Sequence, residues 1–195
     1  PANLRLCGAP LYDGAEGSLP EEVESFLAAG EAPILFALGS SAVWTAGDFW
    51  RQAAVAASRL GRRAMLITGP EAPGNLPAGI KAFSYLPYSK IFPRGAAVVH
   101  SAGIGTLAQA MRSGRPQLLV PVAFDQPDNA FRAAGLGLGR VLPFGKVDAD
   151  RLVPHLVELL SRPDYGRAAE ALARQLRRSD GAANAAAELE ACLRG

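Results

Sequence analysis

Cysteine is nearly absent: Cys7 and Cys192, at opposite ends of 195 residues, are the only two. Neither belongs to a CxxC spacing, which argues against a disulfide framework or a cysteine metal site and fits a reducing compartment, with the cytoplasm as default. Aromatic residues make up only 7%, and 20 basic against 18 acidic residues leave a charge of +2. So small a field does not recruit nucleic acid, and no aromatics interleave with Lys and Arg, so nucleic acid is not an expected partner. No apolar run approaches the roughly eighteen residues that a transmembrane segment needs, and no charged-then-apolar leader is visible. Repeats, heptads and low-complexity tracts are missing too, and the expectation is a single domain. The first residue is Pro1, not Met, which reads as an excised domain or a processed product.

What is present is apolar bulk and punctuation. Hydrophobic residues make up 49%, enough to bury one good core, and 21 glycines and 15 prolines break the chain into short elements. Arg outnumbers Lys 17 to 3 and Ala is frequent, a composition that suggests a GC-rich bacterial source.

Strands and helices alternate along the sequence. The opening PANLRLCGAPLYDG is extended and rich in turn residues. The SLPE spacing from Ser18 to Glu21 predicts a capping box that starts a helix ending at Gly30. Pro33–Leu38 is a continuous apolar run, hence a buried central strand, with Gly39, Ser40 and Ser41 directly after it. A helix from Gly47 to Leu60 leads to a strand at Ala64–Thr68. The loop GPEAPGNLPAG follows, then a strand at Ile80–Tyr85.

Beyond the middle of the chain, Gln126–Gly135 reads as a helix ended by Gly137 and Gly139, and Arg140–Leu142 as a short strand. Asp148 is placed to cap the helix ADRLVPHLVELL, with Pro154 kinking it or marking its true start. His155 lies among leucines and valines and reads as structural. Two helices, Tyr165–Arg178 and Ala182–Arg194, close the chain, with the RQLRR run as a solvated face. The alternation specifies an α/β fold: a Rossmann-like α/β/α sandwich with a parallel sheet of about six strands.

The richest stretch runs from Val98 to Asn129, VVHSAGIGTLAQAMRSGRPQLLVPVAFDQPDN. A strand at Ala96–Val99 delivers His100 into a loop where Gly103 and Gly105 remove side chains. Thr106 then opens a helix, so that free amides and the positive end of the helix dipole face the loop, a cradle for a diphosphate. The chain returns on a strand, Gln117–Val122, and Asp125 and Gln126 emerge beside the same crevice. Gly103, Gly105 and Ala108 also fit the G-x-G-x-x-A of a dinucleotide-binding unit, with Asp125 as its ribose acid. That fingerprint normally follows the first strand of its domain, whereas several strand–helix units precede it here.

These residues resemble the donor-binding signature of GT-B fold, nucleotide-sugar-dependent glycosyltransferases, the branch with macrolide, sterol and rhamnosyltransferases. The family form xxxHHGGxGTxxxAxxxGxPQxxxPxxxDQxxNA is matched by HSAGIGT, Ala110, Gly114, Pro116, Gln117, Pro121, Asp125, Gln126, Asn129 and Ala130. The departure is His100-Ser101-Ala102-Gly103 where relatives carry a histidine pair and two glycines.

The resemblance implies the C-terminal, donor-binding half of a hexosyltransferase that uses a UDP- or dTDP-sugar without a metal or other cofactor. Gly39, Ser40, Ser41, His100, Ser101, Gly103, Ile104, Gly105 and Thr106 would then surround the diphosphate. The family's aromatic-x-Pro-Gln is Tyr85, Leu86, Pro87 and Tyr88 here, with Tyr85 stacking on the base. Asp125 and Gln126 would bind the sugar.

In the resembled family the general base comes from an N-terminal acceptor-binding domain or subunit, so no catalytic base is assigned and this domain alone is expected to be inactive. The resemblance also implies an acceptor that is a small molecule or a lipid, and a cytoplasmic protein, peripheral to the membrane if the acceptor is a lipid. In the family a C-terminal helix crosses to that other domain, so the last helix is expected to expose an apolar face. A stand-alone donor subunit of a split transferase, a nucleotide-sugar epimerase and an NAD-dependent dehydrogenase are the alternatives.

Overall fold

The computed structural model describes residues 4–11 and 18–194; the side chains of Ser40 and Ser41 also lie outside what is described. Six strands form one parallel sheet: β1 Ile34–Ala37, β2 Ala64–Ile67, β3 Ile80–Phe83, β4 Ala97–His100, β5 Gln117–Leu119 and β6 Gly139–Val141. Their spatial order is β3-β2-β1-β4-β5-β6. β1, β2, β4 and β5 are buried along their whole length because helices cover both faces of the sheet, which is why the sequence shows them as apolar runs interrupted only by His100 and Gln117.

The helices are α1 Glu21–Ala28, the single turn α2 Gly39–Ala42, α3 Phe49–Arg59, α4 Tyr88–Ile91, α5 Ile104–Ser113, α6 Gln126–Gly135, α7 Ala149–Ser161, α8 Pro163–Leu176 and α9 Gly181–Arg194. Period-two alternation sorts the strand side chains between two layers. Ile34, Phe36, Leu66, Val99 and Leu118 pack under α3 and α7, with Phe49, Trp50, Leu152 and Leu156. Leu35, Ala37, Met65 and Val98 face Val23 and Phe26 of α1 and Ala110 of α5. Leu119 continues that second layer beneath α5, α6 and α8.

Several expected boundaries move. Ser18 makes no cap; Pro20 is the N-cap of α1, and its carbonyl accepts from Val23 and Glu24. Tyr88–Arg94, given no element from sequence, forms α4 and a 3₁₀ turn, each entered next to a proline that pre-sets φ. α5 starts at Ile104 instead of Thr106, because the left-handed Ala102 (φ +65°) turns the chain early and Leu107 N–H closes the first turn on the Gly103 carbonyl. Gly139 belongs to β6, not to a helix end. Asp148 caps α7 as expected, accepting from Arg151 N–H at 2.8 Å, and the helix runs through Pro154.

The RQLRR run is not simply a solvated face. Arg177 donates to the carbonyls of Arg112 (3.1 Å) and Ser113 (3.2 Å), satisfying the C-terminus of α5. His155 accepts from Arg140 Nε at 2.9 Å and is structural, its pKa lowered by burial and then by the Arg140 charge. α9 exposes Leu189 (67%) and Leu193 (88%), the apolar face expected of the last helix. Among the described residues no helix is long and apolar enough to cross a membrane.

Candidate functional site

The strand order reverses direction between β1 and β4, and in open parallel sheets ligands bind at the carboxyl ends of the strands at such a switch point. β1 exits into Gly39, which has φ +81°; β4 exits into the loop His100–Gly103 and then α5. The two exits touch. A Cβ on Gly39 would stand 2.8 Å from Thr106 Oγ1, and Ser101 Oγ donates to the Leu38 carbonyl. Gly103 is the N-cap of α5 and brings no capping side chain. Helix geometry therefore leaves the amides of Ile104, Gly105 and Thr106 without an intrahelical acceptor, aimed at the crevice with the positive end of the dipole.

A cavity of about 930 Å³ opens there. Its walls include Gly39 and Val43 after β1, Gly69 after β2, Ser84–Leu86 and Tyr88 after β3, and Ile104–Thr106, Ala108 and Gln109 of α5. Among the described residues no charged side chain lines it. An anion held here would be stabilised by backbone dipoles in place of a cation. A Cβ on Gly105 would meet nothing within 4 Å, so this residue faces open space in the cavity wall.

Tyr85 stands on the cavity wall with 62% of its surface exposed, so it is not a core residue. Leu86 is buried behind it, and Tyr88 stacks on Phe92 with ring centroids 4.4 Å apart, a support beneath this wall. Burial raises the Tyr88 phenol to about 12, so it remains neutral. Pro87 starts α4 and sets the direction of the loop.

His100 differs from its expected place. It is fully buried, and both ring nitrogens are occupied: Ala102 N–H donates to Nδ1 at 3.1 Å, and Nε2 lies 3.0 Å from Gln117 Oε1. Because Nδ1 accepts, the proton sits on Nε2, which donates to Gln117. Burial pushes the imidazole down to about 4, against the Gln117 bond, which favours the charged form. The ring therefore has no nitrogen left to offer a phosphate; it props the left-handed turn at Ala102. Ser101 is likewise buried with its hydroxyl committed to Leu38. Of the expected diphosphate group, Gly39, Ile104, Gly105 and Thr106 line the cavity, Gly103 sits at the loop's turn into α5, and His100 and Ser101 stand behind it.

Asp125 and Gln126 part company. Gln126 is 6% exposed, and its Oε1 accepts from the amides of Val122 (2.8 Å) and Ala123 (3.3 Å), fastening the β5 exit. Its Nε2 points back at the glycine loop, 4.0 Å from where a Gly103 Cβ would lie. Asp125 is exposed and makes no helix cap; its Oδ2 accepts from Asn129 Nδ2 at 2.7 Å, and the same nitrogen reaches the Ala102 carbonyl at 3.0 Å. Asn129 thus ties the Asp125 carboxylate to the glycine loop.

Three contributors escape sequence reasoning. Gln117 is inside a strand, and only the fold brings it to His100. Phe124, 91% exposed at φ +58°, carries backbone strain of about 1–2 kcal/mol immediately before Asp125. Gly8–Leu11, from the opening segment, reach the same cavity.

A parallel sheet in this order, with a cavity and an open helix N-terminus at its switch point, is an α/β domain of the Rossmann-like kind. The chain belongs to the family described as erythromycin biosynthesis protein CIII-like, C-terminal domain, which matches residues 67–191. It is similar to the O-mycaminosyltylonolide 6-deoxyallosyltransferase of Streptomyces fradiae, 34% identical over 97% of this chain and 45% of that protein. The solved glycosyltransferase VinC in complex with dTDP superposes with a TM-score of 0.77 at 26% identity, over 97% of this chain and 47% of that one. Spinosyn rhamnosyltransferase SpnG complexed with thymidine diphosphate gives 0.74 at 26% identity, over 89% and 48%. The chain therefore spans about half the length of the relatives it matches, and its fold is that of the C-terminal domain of GT-B glycosyltransferases.

Proposed function

We propose that this domain binds the nucleotide-sugar donor, a UDP- or dTDP-hexose, of a glycosyltransferase whose acceptor is a small molecule or a lipid. The observation that carries the reading is the switch-point cavity, walled on one side by the open N-terminus of α5 and on another by the exposed Tyr85. The amides of Ile104, Gly105 and Thr106 hold the diphosphate, and Tyr85 stacks on the base while Leu86 and Pro87 shape its pocket. Neutral dipoles take up the charge of the leaving nucleoside diphosphate, so no metal is required.

The acceptor and its general base come from an N-terminal domain or subunit, and the whole protein works in the cytoplasm, at the membrane surface if the acceptor is a lipid. The likeness to glycosyltransferases solved with dTDP and with thymidine diphosphate supports the donor class.

The test is a thermal-shift and calorimetric series with dTDP, UDP, GDP, ADP and NAD. At about 100 times its Kd, a pyrimidine nucleoside diphosphate should add about 2.7 kcal/mol, a rise in Tm of roughly 5–10 °C. NAD should add nothing; preferential stabilisation by NAD would sink the donor reading in favour of the dinucleotide one.

Asp125 separates sugar from nucleotide. A carboxylate repels a diphosphate and accepts from sugar hydroxyls, so Asp125→Ala should weaken the nucleotide sugar by about 1–2 kcal/mol and leave the bare diphosphate unchanged or slightly tighter. Equal losses for both ligands would assign Asp125 to loop support through Asn129. Gln126→Ala should behave differently, lowering affinity for both ligands together with Tm, because it also unfastens the β5 exit.

A further inference from the structure

One side of the cavity comes from outside the strand–helix body. Gly8, Ala9, Pro10 and Leu11 form an irregular strap that lines the same space as Tyr85 and Gly105. The strap is joined to the far end of the sequence. Asn184 Nδ2 of α9 donates to the Cys7 carbonyl at 3.1 Å, and Arg5 pairs with Glu188 at 3.4 Å.

At the start of α9 the two segments meet backbone to backbone: a Cβ on Gly181 would fall 2.5 Å from the Ala9 carbonyl oxygen. Gly181 is also the one buried residue among those described in α9. The last helix therefore has little purchase on the body of the domain, and its close contact is with the strap.

We propose that Gly181 and Asn184 are positioning residues for the donor cavity: α9 holds residues 4–11 in place as its outer wall, and docking of α9 sets nucleotide affinity. The inference rests on the donor-site reading above. The strap's Ala9, Pro10 and Leu11 supply apolar surface and Gly8 brings no side chain, so the wall suits shielding a base and ribose from water and contributes no charge. Coupling of this kind is reciprocal. If the docked helix raises affinity for the nucleotide, the bound nucleotide must stabilise the docked helix by the same factor.

The experiment uses dTDP and UDP as probes on the wild-type chain, Gly181→Val and Asn184→Ala. Gly181→Val drives a side chain into the Ala9 carbonyl and should weaken binding about five- to tenfold, the low end of intersite coupling. Asn184→Ala removes the exposed hydrogen bonds of Nδ2 to the Cys7 carbonyl and to Ser179 Oγ and should weaken it about two- to threefold. Ligand-free Tm should stay within about 1–2 °C for both variants, since the contact lies outside the core.

In the wild type, saturating dTDP should slow amide exchange across residues 4–11 and 181–186, and in Gly181→Val it should not. That exchange response is the readout that a merely structural role would not move. Unchanged affinity in both variants, or exchange in these segments that ignores dTDP in a wild type that binds it, overturns the inference alone. A wild-type chain that binds neither nucleotide overturns the donor-site reading, and this inference with it.

Discussion

Acidification from pH 7 to pH 4 is expected to remove about 3 kcal/mol of folding stability through His100 alone. The native imidazole is held at about 4 by burial, whereas its ordinary value is 6.5. Between these values the unfolded chain takes up a proton that the native state refuses, so stability rises with pH across that window. The contribution is complete above about pH 6.5 and lost as the pH falls through about 4.

Urea unfolding of wild type and His100→Gln at the two pH values measures it. His155 and the carboxylates titrate in both proteins and cancel in the difference. The wild type should be the more stable at pH 7, and its advantage should shrink by about 3 kcal/mol at pH 4. A gap that stays constant, or an NMR titration that places the ring near 6.5, would mean that His100 faces the solvent, where it could serve a phosphate. His100→Ala should cost stability even at pH 7, because Gln117 Oε1 and the Ala102 amide both lose a buried partner at about 1–3 kcal/mol each.

Gly39 and Gly105 both line the cavity, and substituting either should cost nucleotide affinity while only the first costs stability. Gly39→Val places a side chain at φ +81° and 2.8 Å from Thr106 Oγ1. Left-handed strain of about 1–2 kcal/mol plus displacement of the first turn of α5 should destabilise the fold by about 2–4 kcal/mol. Affinity for dTDP should drop more than about tenfold, because the displaced turn is the one proposed to hold the diphosphate.

Gly105→Val adds its side chain into open cavity at an ordinary φ, so stability should stay within about 0.5 kcal/mol or rise. It should still cost more than about tenfold in dTDP affinity, by filling the space proposed for the diphosphate. Denaturation and calorimetry on both variants check the pair. Retention of full affinity by Gly105→Val would remove the N-terminus of α5 from the site.

The strands, the layer architecture and the glycine loop that opens a helix were legible in the amino-acid sequence because each follows from local chemistry. Runs such as Ile34–Ala37 and Ala97–Val99 are apolar throughout because both of their faces are covered. Gly103, Gly105 and the helix after them announce a cradle because backbone geometry and the helix dipole need no distant partner. The spacing of Gly114, Pro116, Gln117, Asp125 and Gln126 likewise carried the family resemblance, which the match over residues 67–191 bears out.

What depended on side chains meeting across the fold was not legible. His100 and Gln117 are 17 positions apart and pair only because β4 and β5 lie side by side in register, which turns an expected phosphate ligand into a neutral core group. Gln126 looked like a sugar ligand beside Asp125, yet a single-residue step, about 100° around the helix, points it inward to the amides of Val122 and Ala123 while its neighbour stays in solvent. Gly8–Leu11 and Gly181 are separated by nearly the whole chain, and no periodicity links them. Local sequence sets which backbone can fold into a strand, a loop or a helix start. Which polar atom finds which partner is decided by through-space packing, since a buried donor must be satisfied by whatever the tertiary fold brings within reach.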